Sequence, residues 1–353
     1  MNFDFNDEQG AIRDAARDML AARYPLEEVR RLAIEDERGF TDDQWDELVS
    51  LGWPGIFVDE AHGGQGLGIV ELVILQEQMG HALAPSPFFS NACAGLVLRA
   101  AGSKEQQERW LAPLARGEVR GTLATLDDAE PVAADGGKLR GAKAAVPDAA
   151  SVDFLIVAAD GRHWVLAAGD DGVDIEPTAG IDPTRKLYRV GLDGAEAEHL
   201  GGDPEAAADA YAAAATALAA ESVGVAQRAL EMAVEYAKER KQFETPIGAF
   251  QAVSHRCAQM LLEVEGARSA TYYAAWALDH EPASAALAAS MAKAYASDAG
   301  FRVPAAAIQV HGGIGFTWEH DAHLFFKRAK SSQHLLGDSA HHRDRVAKRI
   351  GLA

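Results

Sequence analysis

The hydrophobic periodicity of the chain changes twice, and the order of the resulting segments restricts the possible folds more than any single residue does. Residues 5–119 have the i, i+3, i+4 spacing that is typical of amphipathic helices. Asn6 is predicted to cap the first of these helices and Thr41 a second one, because both side chains can accept a hydrogen bond from a backbone N–H of the first turn. The first third of the chain is therefore predicted to be helical.

A β pattern begins near Gly121, where short runs such as Phe154–Val157 and Trp164–Leu166 alternate with Asp and Gly turns. Helical periodicity returns at Asp203 and continues to the end. Two apolar stripes mark the returning helices, at Val223, Ala226, Leu230 and Ala233 and at Met260, Leu261, Val264 and Ala267. The high alanine content of this half permits close packing of helices, as in a four-helix bundle.

These patterns together predict an α+β protein with three domains. The predicted limits are 1–120 for an N-terminal helical domain, 121–202 for a small middle β domain and 203–353 for a C-terminal four-helix bundle.

Composition excludes several classes of function. The net charge of −20 opposes binding to nucleic acid and to anionic membranes. No apolar run reaches the length of about 18 residues that a membrane span requires. The first residues do not resemble a signal peptide, and Cys93 and Cys257 have no metal-binding or redox spacing. We therefore predict a cytoplasmic protein without a metal site.

Basic residues cluster at a few places in this acidic chain, and these clusters are the candidate anion contacts. They are Arg240-Lys241, Lys327-Arg328 and Lys330. A solvated helix face is the other interpretation of each cluster.

Three segments contain residues that suit a nucleotide: residues 58–66, 236–247 and 309–317. A guanidinium such as that of Arg240 can bind a pyrophosphate with two N–H groups. Gly312 and Gly313 lack Cβ atoms, so the backbone can come close to a phosphate, and Gln309 can donate to a ribose or phosphate oxygen. Without the other two segments, the glycine pair would indicate no more than a turn between helices.

In this order and spacing, the three segments resemble the motifs of the acyl-CoA dehydrogenase family of flavoproteins, over nearly the whole chain. Residues 58–66 are similar to the family's P-E-E-x-G-G-x-G, with Val58 in place of the Pro. Residues 236–247 are similar to Y-x-x-x-R-x-Q-F-G-x-P-I, with Glu244 in place of the Gly, and residues 309–317 to Q-x-x-G-G-x-G-[YF]-T. The resemblance implies an enzyme that uses FAD for the α,β-dehydrogenation of an acyl-CoA thioester.

The resemblance also implies which residues contact the cofactor. The adenosine-diphosphate half of FAD is expected to lie across a subunit interface, against Arg240, Gln242, Phe243, Gln309, Gly312 and Gly313. The segment from Gly121 to Asp128 is shortened and lacks the Gly-Ser-Asp element that lines the flavin ring in the family.

The two positions that hold the catalytic base in this family carry residues that cannot accept a proton. Counting from Gly313, Leu336 stands where a Glu follows the basic helix. Some members place the Glu 26 residues before the Arg that matches Arg240, and that position is Ala214. No catalytic residue is therefore assigned. The acidic residues near these positions are candidates for a relocated base or, more commonly, helix-surface and capping groups; they are Glu221, Glu319 and Asp338.

The sequence leaves three assemblies open. The main prediction is the base-lacking subunit of a heteromeric acyl-CoA dehydrogenase that pairs with a Glu-bearing chain in lipid catabolism and passes electrons to an electron-transfer flavoprotein. The alternatives are a self-sufficient homodimeric flavoenzyme with a relocated base and a non-catalytic scaffold. Retention of Arg240 and of the glycine pair argues against the scaffold.

Overall fold

The computed structural model describes residues 5–203 and 206–352, and its elements follow the predicted order of helices, strands and helices. The N-terminal helices are α1 (Asp7–Arg23), α2 (Leu26–Glu35), α3 (Asp42–Ser50), α4 (Ile69–Ala82), α5 (Phe88–Ala101), α6 (Lys104–Gln106) and α7 (Ala112–Ala115), with a π-helical stretch at Gln107–Leu111 between the last two.

Both predicted caps are confirmed. The Asn6 side chain accepts a hydrogen bond from the N–H of Gln9 at 2.8 Å, and the Thr41 hydroxyl accepts one from the N–H of Gln44 at 3.3 Å. Each partner glutamine bonds back to the cap backbone, which completes a capping box.

The middle of the chain forms two four-stranded sheets. Their strands are β1 (Gly121–Ala124), β2 (Ala133–Asp135), β3 (Lys138–Pro147), β4 (Phe154–Ala159), β5 (Arg162–Ala167), β6 (Val173–Thr178), β7 (Leu187–Glu196) and β8 (Glu198–His199). One sheet has the order β1-β4-β5-β8, with β1 and β4 parallel, and the other has the antiparallel order β2-β3-β7-β6. A shared apolar core that includes Leu139, Leu155, Leu166 and Val190 shows that the sheets pack face to face.

Long helices dominate the C-terminal part. They are α8 (Ala206–Glu239), α9 (Gln251–His280), α10 (Pro282–His311), α11 (Ala322–His334) and α12 (Ser339–Arg349), with a short hairpin of β9 (Lys241–Gln242) and β10 (Thr245–Pro246) between α8 and α9. The predicted α+β fold class and the helical nature of this part are confirmed. A four-helix bundle was predicted, and the structure contains a fifth helix, α12, which packs on α10.

The residues group into two compact units. One contains the described residues within 1–30, 69–84 and 215–353, and the other contains those within 31–68 and 85–214. Within the first unit, α4 crosses α8 at Gly80 and Gly224, where a Cβ atom on either glycine would overlap a backbone carbonyl of the opposite helix. The three domain limits that we predicted describe the order of elements along the chain, and they stay a prediction.

Two details differ from the sequence analysis. Leu261 was placed in a buried stripe, but it is 47% exposed, because the buried face of α9 runs through Met260, Val264 and Ala267. Arg328 was assigned to a solvated helix face or an anion contact, but it is only 3% exposed. Its partner in the interior is the carboxylate of Glu221. Within the described residues, none of the helices combines the length and the apolar character needed to cross a bilayer.

Candidate functional site

The predicted cofactor residues come together at one end of the C-terminal helices. The ring of Tyr236, near the end of α8, stacks on the ring of His311, the last residue of α10, with 4.7 Å between the ring centroids. This contact brings the segment that contains Arg240 next to the glycine pair. Gln309, which is also predicted to contact the cofactor, lines a groove between α9 and α10 together with Gln251, the first residue of α9.

Arg240 has a fixed backbone and an uncommitted side chain. Its N–H donates to the carbonyl of Tyr236 and its own carbonyl accepts from the N–H of Ile247, both at 2.8 Å. In the described part of the chain, no carboxylate or carbonyl pairs with its exposed guanidinium. An exposed arginine held at its backbone is available for an anion.

The hairpin after Arg240 exposes the next two predicted contacts. Gln242 pairs with Thr245, so that Phe243 and Glu244 form a two-residue loop. Both loop residues have positive φ angles, 52° and 62°. Phe243 is 90% exposed, and its ring meets that of Phe250 edge to face at 6.5 Å.

The glycine pair ends α10 and leaves open space beside the chain. Gly312 has φ 64° and ψ −137°, a conformation that is practically restricted to glycine. A Cβ atom on Gly312 or on Gly313 would meet no other atom within 4 Å. The N–H of Gly312 bonds to the carbonyls of Ile308 and Gln309, so it caps the helix rather than pointing to a ligand. The pair therefore offers space for a close approach, and Gly312 does not offer a free donor.

The groove between α9 and α10 has a volume of about 790 Å³. Its floor includes Met260 and Val303, while its rim includes His255, Arg256 and Arg302. Arg302 is paired with Glu263 at 2.8 Å. The groove thus combines apolar surface with donors, which suits an adenosine and its phosphates.

The turn that we predicted to correspond to the family's base position lies between α11 and α12. Leu336 has a φ of 57°, and its carbonyl accepts a hydrogen bond from Nε2 of the buried His342 at 3.0 Å. Lys293, also buried, donates to the carbonyls of Ser332 and Gln333 at the end of α11, at 3.2 and 3.4 Å. Buried side chains therefore hold both the end of α11 and the carbonyl of Leu336, and the side chain of Leu336 itself carries no carboxylate.

The second base position, Ala214, is fully buried on α8. Glu221 lies two turns further along α8 and is 2% exposed. Its Oε2 faces Nη1 of Arg328 at 3.4 Å, and its Oε1 accepts a hydrogen bond from the Ser332 hydroxyl at 2.8 Å. Glu221 is therefore neither a helix-surface nor a capping group; it belongs to a buried ion pair.

The other two acidic candidates occupy different environments. Asp338 caps α12 by accepting the N–H of His341 at 2.8 Å, and this backbone hydrogen bond lowers the pKa of its carboxyl group. Glu319 lies exposed in the loop after the glycine pair. A carboxyl group with a lowered pKa is a poor proton acceptor, so Asp338 is better explained as a cap.

The polar side of α9 that lines the groove was not predicted from the sequence. Gln251, His255, Gln259 and Glu263 recur at every fourth position and all line it. The i, i+4 repeat of these polar residues is present in the sequence, but only the apolar residues of this helix were used to predict its packing. The stack of Tyr236 on His311 had no sequence signal, because it joins residues that are far apart in the chain.

Comparison with known proteins gives consistent results. The model of the acyl-CoA dehydrogenase N-terminal domain matches residues 6–118, and that of the C-terminal domain matches residues 205–351. The acyl-CoA dehydrogenase IpdE2 of Mycobacterium tuberculosis is 36% identical over 90% of this chain and 89% of its own length.

Two solved structures resemble the whole chain. A chain of the ChsE4-ChsE5 complex from M. tuberculosis superposes with a TM-score of 0.92 at 29% identity, and the match covers 100% of this chain and 100% of that chain. The Tcur3481-Tcur3483 steroid ACAD, solved as a G363A variant, superposes with a TM-score of 0.90 at 30% identity and covers 98% of both chains.

Proposed function

The chain belongs to the acyl-CoA dehydrogenase family, and we propose that it is the subunit of a heteromeric member that lacks the catalytic base. Its relatives are named acyl-CoA dehydrogenases, which are oxidoreductases that act on CH–CH donors. The cofactor of the family is FAD. We extend both the reaction and the cofactor to the assembly that contains this chain.

The reaction needs a base in addition to the cofactor. A carboxylate removes the α-proton of the thioester, and bound FAD would supply the acceptor for the hydride of the β-carbon. A carboxylate is suitable because burial raises its pKa toward that of the activated substrate. A subunit without a carboxylate at this place can bind and orient, but it cannot supply that proton transfer.

The observation that carries the proposal is the residue at the turn between α11 and α12. Leu336 stands at the family's base position, and its turn is held by His342 and Lys293. The second position is Ala214. Glu221 is engaged by Arg328 and Ser332 and therefore does not substitute for the missing base.

The chain's own contribution is to hold the adenosine-diphosphate half of FAD. The uncommitted guanidinium of Arg240 would bind the pyrophosphate, and the open space at Gly312 and Gly313 would admit it. Gln309 would donate to a ribose or phosphate oxygen from the edge of the groove. Gln242 and Phe243, exposed on the hairpin, would also contact the nucleotide.

The proposed partner is a Glu-bearing acyl-CoA dehydrogenase chain. The ChsE4-ChsE5 and Tcur3481-Tcur3483 structures are each named for two chains, and both resemble this chain over its length. Large apolar side chains on α9 and α10 are exposed in the single chain, as expected of a subunit interface; they are Leu261, Leu262, Met291 and Tyr295. We further propose an acyl-CoA substrate from lipid catabolism in the cytoplasm and an electron-transfer flavoprotein as acceptor.

A self-sufficient homodimer is the second candidate. Glu319 is the observation in its favour, because this carboxylate is exposed and no cation is paired with it in the described residues. A scaffold without catalysis is the third. It has no need for Arg240 and an open glycine pair, which is why we rank it last.

Titration with FAD, followed by the flavin spectrum and by ultrafiltration, separates the three candidates. The chain is measured alone and together with the Glu-bearing acyl-CoA dehydrogenase chain that copurifies with it. We expect retention of FAD only in the mixture. Stable retention by the chain alone would support the homodimer, and no retention in either sample would support the scaffold.

A further inference from the structure

The hairpin between α8 and α9 has an unusual loop for its geometry. Lys241 pairs with Pro246 and Gln242 with Thr245, which leaves Phe243 and Glu244 as the two central residues. Two-residue hairpin loops with positive φ at both positions favour Asn and Gly, because other residues bring Cβ close to the backbone. Here both positions, at φ 52° and 62°, carry large side chains.

Glu244 is the residue that departs from the family motif, which has a glycine at this place. A glycine would adopt a φ of 62° without steric conflict, so the carboxylate is present despite the strain. Strained residues that persist are concentrated at functional sites. The strain therefore points to a use for the side chain of Glu244.

The described residues offer no such use. Glu244 is exposed, and no hydrogen bond or ion pair joins its carboxylate to the described residues. The neighbouring cations Arg240 and Lys241 are equally exposed and do not approach it as ion pairs. The carboxylate thus contributes no visible contact to the fold.

Charge indicates what the carboxylate meets. A diphosphate bound beside Arg240 would be repelled by Glu244 unless a further cation faced the carboxylate. A second copy of this chain carries a net charge of −20 and would approach with a repulsive field. A lysine or arginine on a different protein chain would satisfy the carboxylate and remove the repulsion.

We propose that Glu244 is a partner-selecting residue, whose carboxylate pairs with a Lys or Arg of the Glu-bearing subunit and favours the heteromer over self-association. The inference rests on the proposed function, because it requires that heteromer. Phe243, 90% exposed beside it, adds apolar surface to the same contact. An apolar anchor next to a charge is a common arrangement of interface residues that determine specificity.

The test compares affinities for the Glu-bearing chain that copurifies with the wild-type chain, measured by biolayer interferometry with FAD present. Glu244→Gln keeps the size of the side chain and the strained backbone and removes only the charge. We expect its dissociation constant to rise about tenfold, and that of Glu244→Lys about a hundredfold. The difference from wild type should shrink as salt is raised, because exposed ion pairs are screened.

Asp171→Asn is the matched control, since Asp171 is an exposed carboxylate in the turn between β5 and β6. It should bind as the wild type does. If Glu244→Gln also binds as the wild type does, the inference is wrong while the heteromer stands. If the wild-type chain binds no Glu-bearing partner and forms only homo-oligomers, the proposed function and the inference are both wrong.

Discussion

Arg240 has a backbone fixed by hydrogen bonds and a guanidinium that makes no ion pair within the described residues, so its side chain is available to bind an anion. Hydrogen bonds to Tyr236 and Ile247 hold its main chain on both sides. Its guanidinium is exposed and makes no ion pair within the described residues. Removing such a side chain should have little effect on folding and a large effect on an anionic ligand.

We predict that Arg240→Ala weakens FAD binding by the assembled enzyme ten- to a hundredfold. The loss of a charge-assisted contact of about 1.5–3 kcal/mol accounts for this range. The dissociation constant is measured by titration of the apoprotein. Lys238→Ala is the matched control, because Lys238 is an exposed cation two residues away.

An unchanged dissociation constant for Arg240→Ala would remove this residue from the site. An equal loss of FAD affinity in Lys238→Ala would show that the positive charge at this end of α8 matters, rather than a specific contact made by Arg240. The melting temperatures of both variants should stay close to that of the wild type, because neither side chain is buried.

Individual residues also mark the limit of what the sequence could reveal. The caps Asn6 and Thr41 were predictable, since a cap depends only on its own helix turn. Leu261 was wrongly assigned to the buried face of α9, because it is apolar and adjacent to the buried Met260. The spacing of apolar residues does not determine where the buried face of a helix ends. The open space at Gly312 and Gly313 agrees with a close-approach role, but the use of the Gly312 N–H as a cap was not foreseen.

At the scale of elements, the buried pair of Glu221 and Arg328 connects α8 to α11. The pair joins residues 107 positions apart, and both side chains are almost inaccessible to water. Periodicity cannot predict such a contact, because it reports the buried face of each helix but not which helix lies opposite. From the sequence, Glu221 is therefore a candidate base, whereas in the structure its carboxylate is paired with Arg328 and Ser332.

We predict that Arg328→Met destabilises the chain by about 3–5 kcal/mol, because it leaves a buried carboxylate without its cation. The double variant Glu221→Leu with Arg328→Met should recover most of this loss, since an apolar pair can replace a buried ion pair. Urea denaturation of the wild type and of both variants measures the difference. Independent, additive effects of the two substitutions would contradict the pairing.

The turn between α11 and α12 has its own pH dependence, because His342 is buried beneath it. Desolvation, with the nearby cations of Lys293, His341 and Arg345, lowers the pKa of His342 from 6.5 to about 4 despite its hydrogen bond to the Leu336 carbonyl. Its Nδ1 has no hydrogen-bond partner in the described residues. The folded chain therefore favours the neutral form of the His342 ring.

A histidine with a lowered folded-state pKa contributes fully above its unfolded pKa of 6.5, and its contribution declines as the pH falls toward 4. Between pH 7 and pH 5, the wild type should therefore lose about 2 kcal/mol more stability than His342→Gln. Urea midpoints at the two pH values test this. His341→Gln, the exposed neighbour, should behave as the wild type; the same pH dependence in His342→Gln and the wild type would contradict the assignment.

At the scale of the whole molecule, the order of helices, strands and helices was predictable, since it follows from local periodicity and turn residues. The groups that meet at the candidate site were predictable only through the resemblance to the family. Nothing in the periodicity brings Arg240 next to Gly312; the stack of Tyr236 on His311 does so in the structure. The proposal that one chain binds the nucleotide and another supplies the base therefore depends on the residues at the base positions and on those at the ends of α8 and α10.

The most direct measurement is the turnover of acyl-CoA by the pure chain in the presence of added FAD, with and without the Glu-bearing partner. A general base typically contributes about 10²–10⁴-fold to the rate. The account predicts little or no α,β-dehydrogenation by the chain alone and turnover by the mixture, which is lost when the partner's catalytic Glu is changed to Gln. Robust turnover by the chain alone, abolished by Glu319→Gln, would contradict the account and assign the base to this chain.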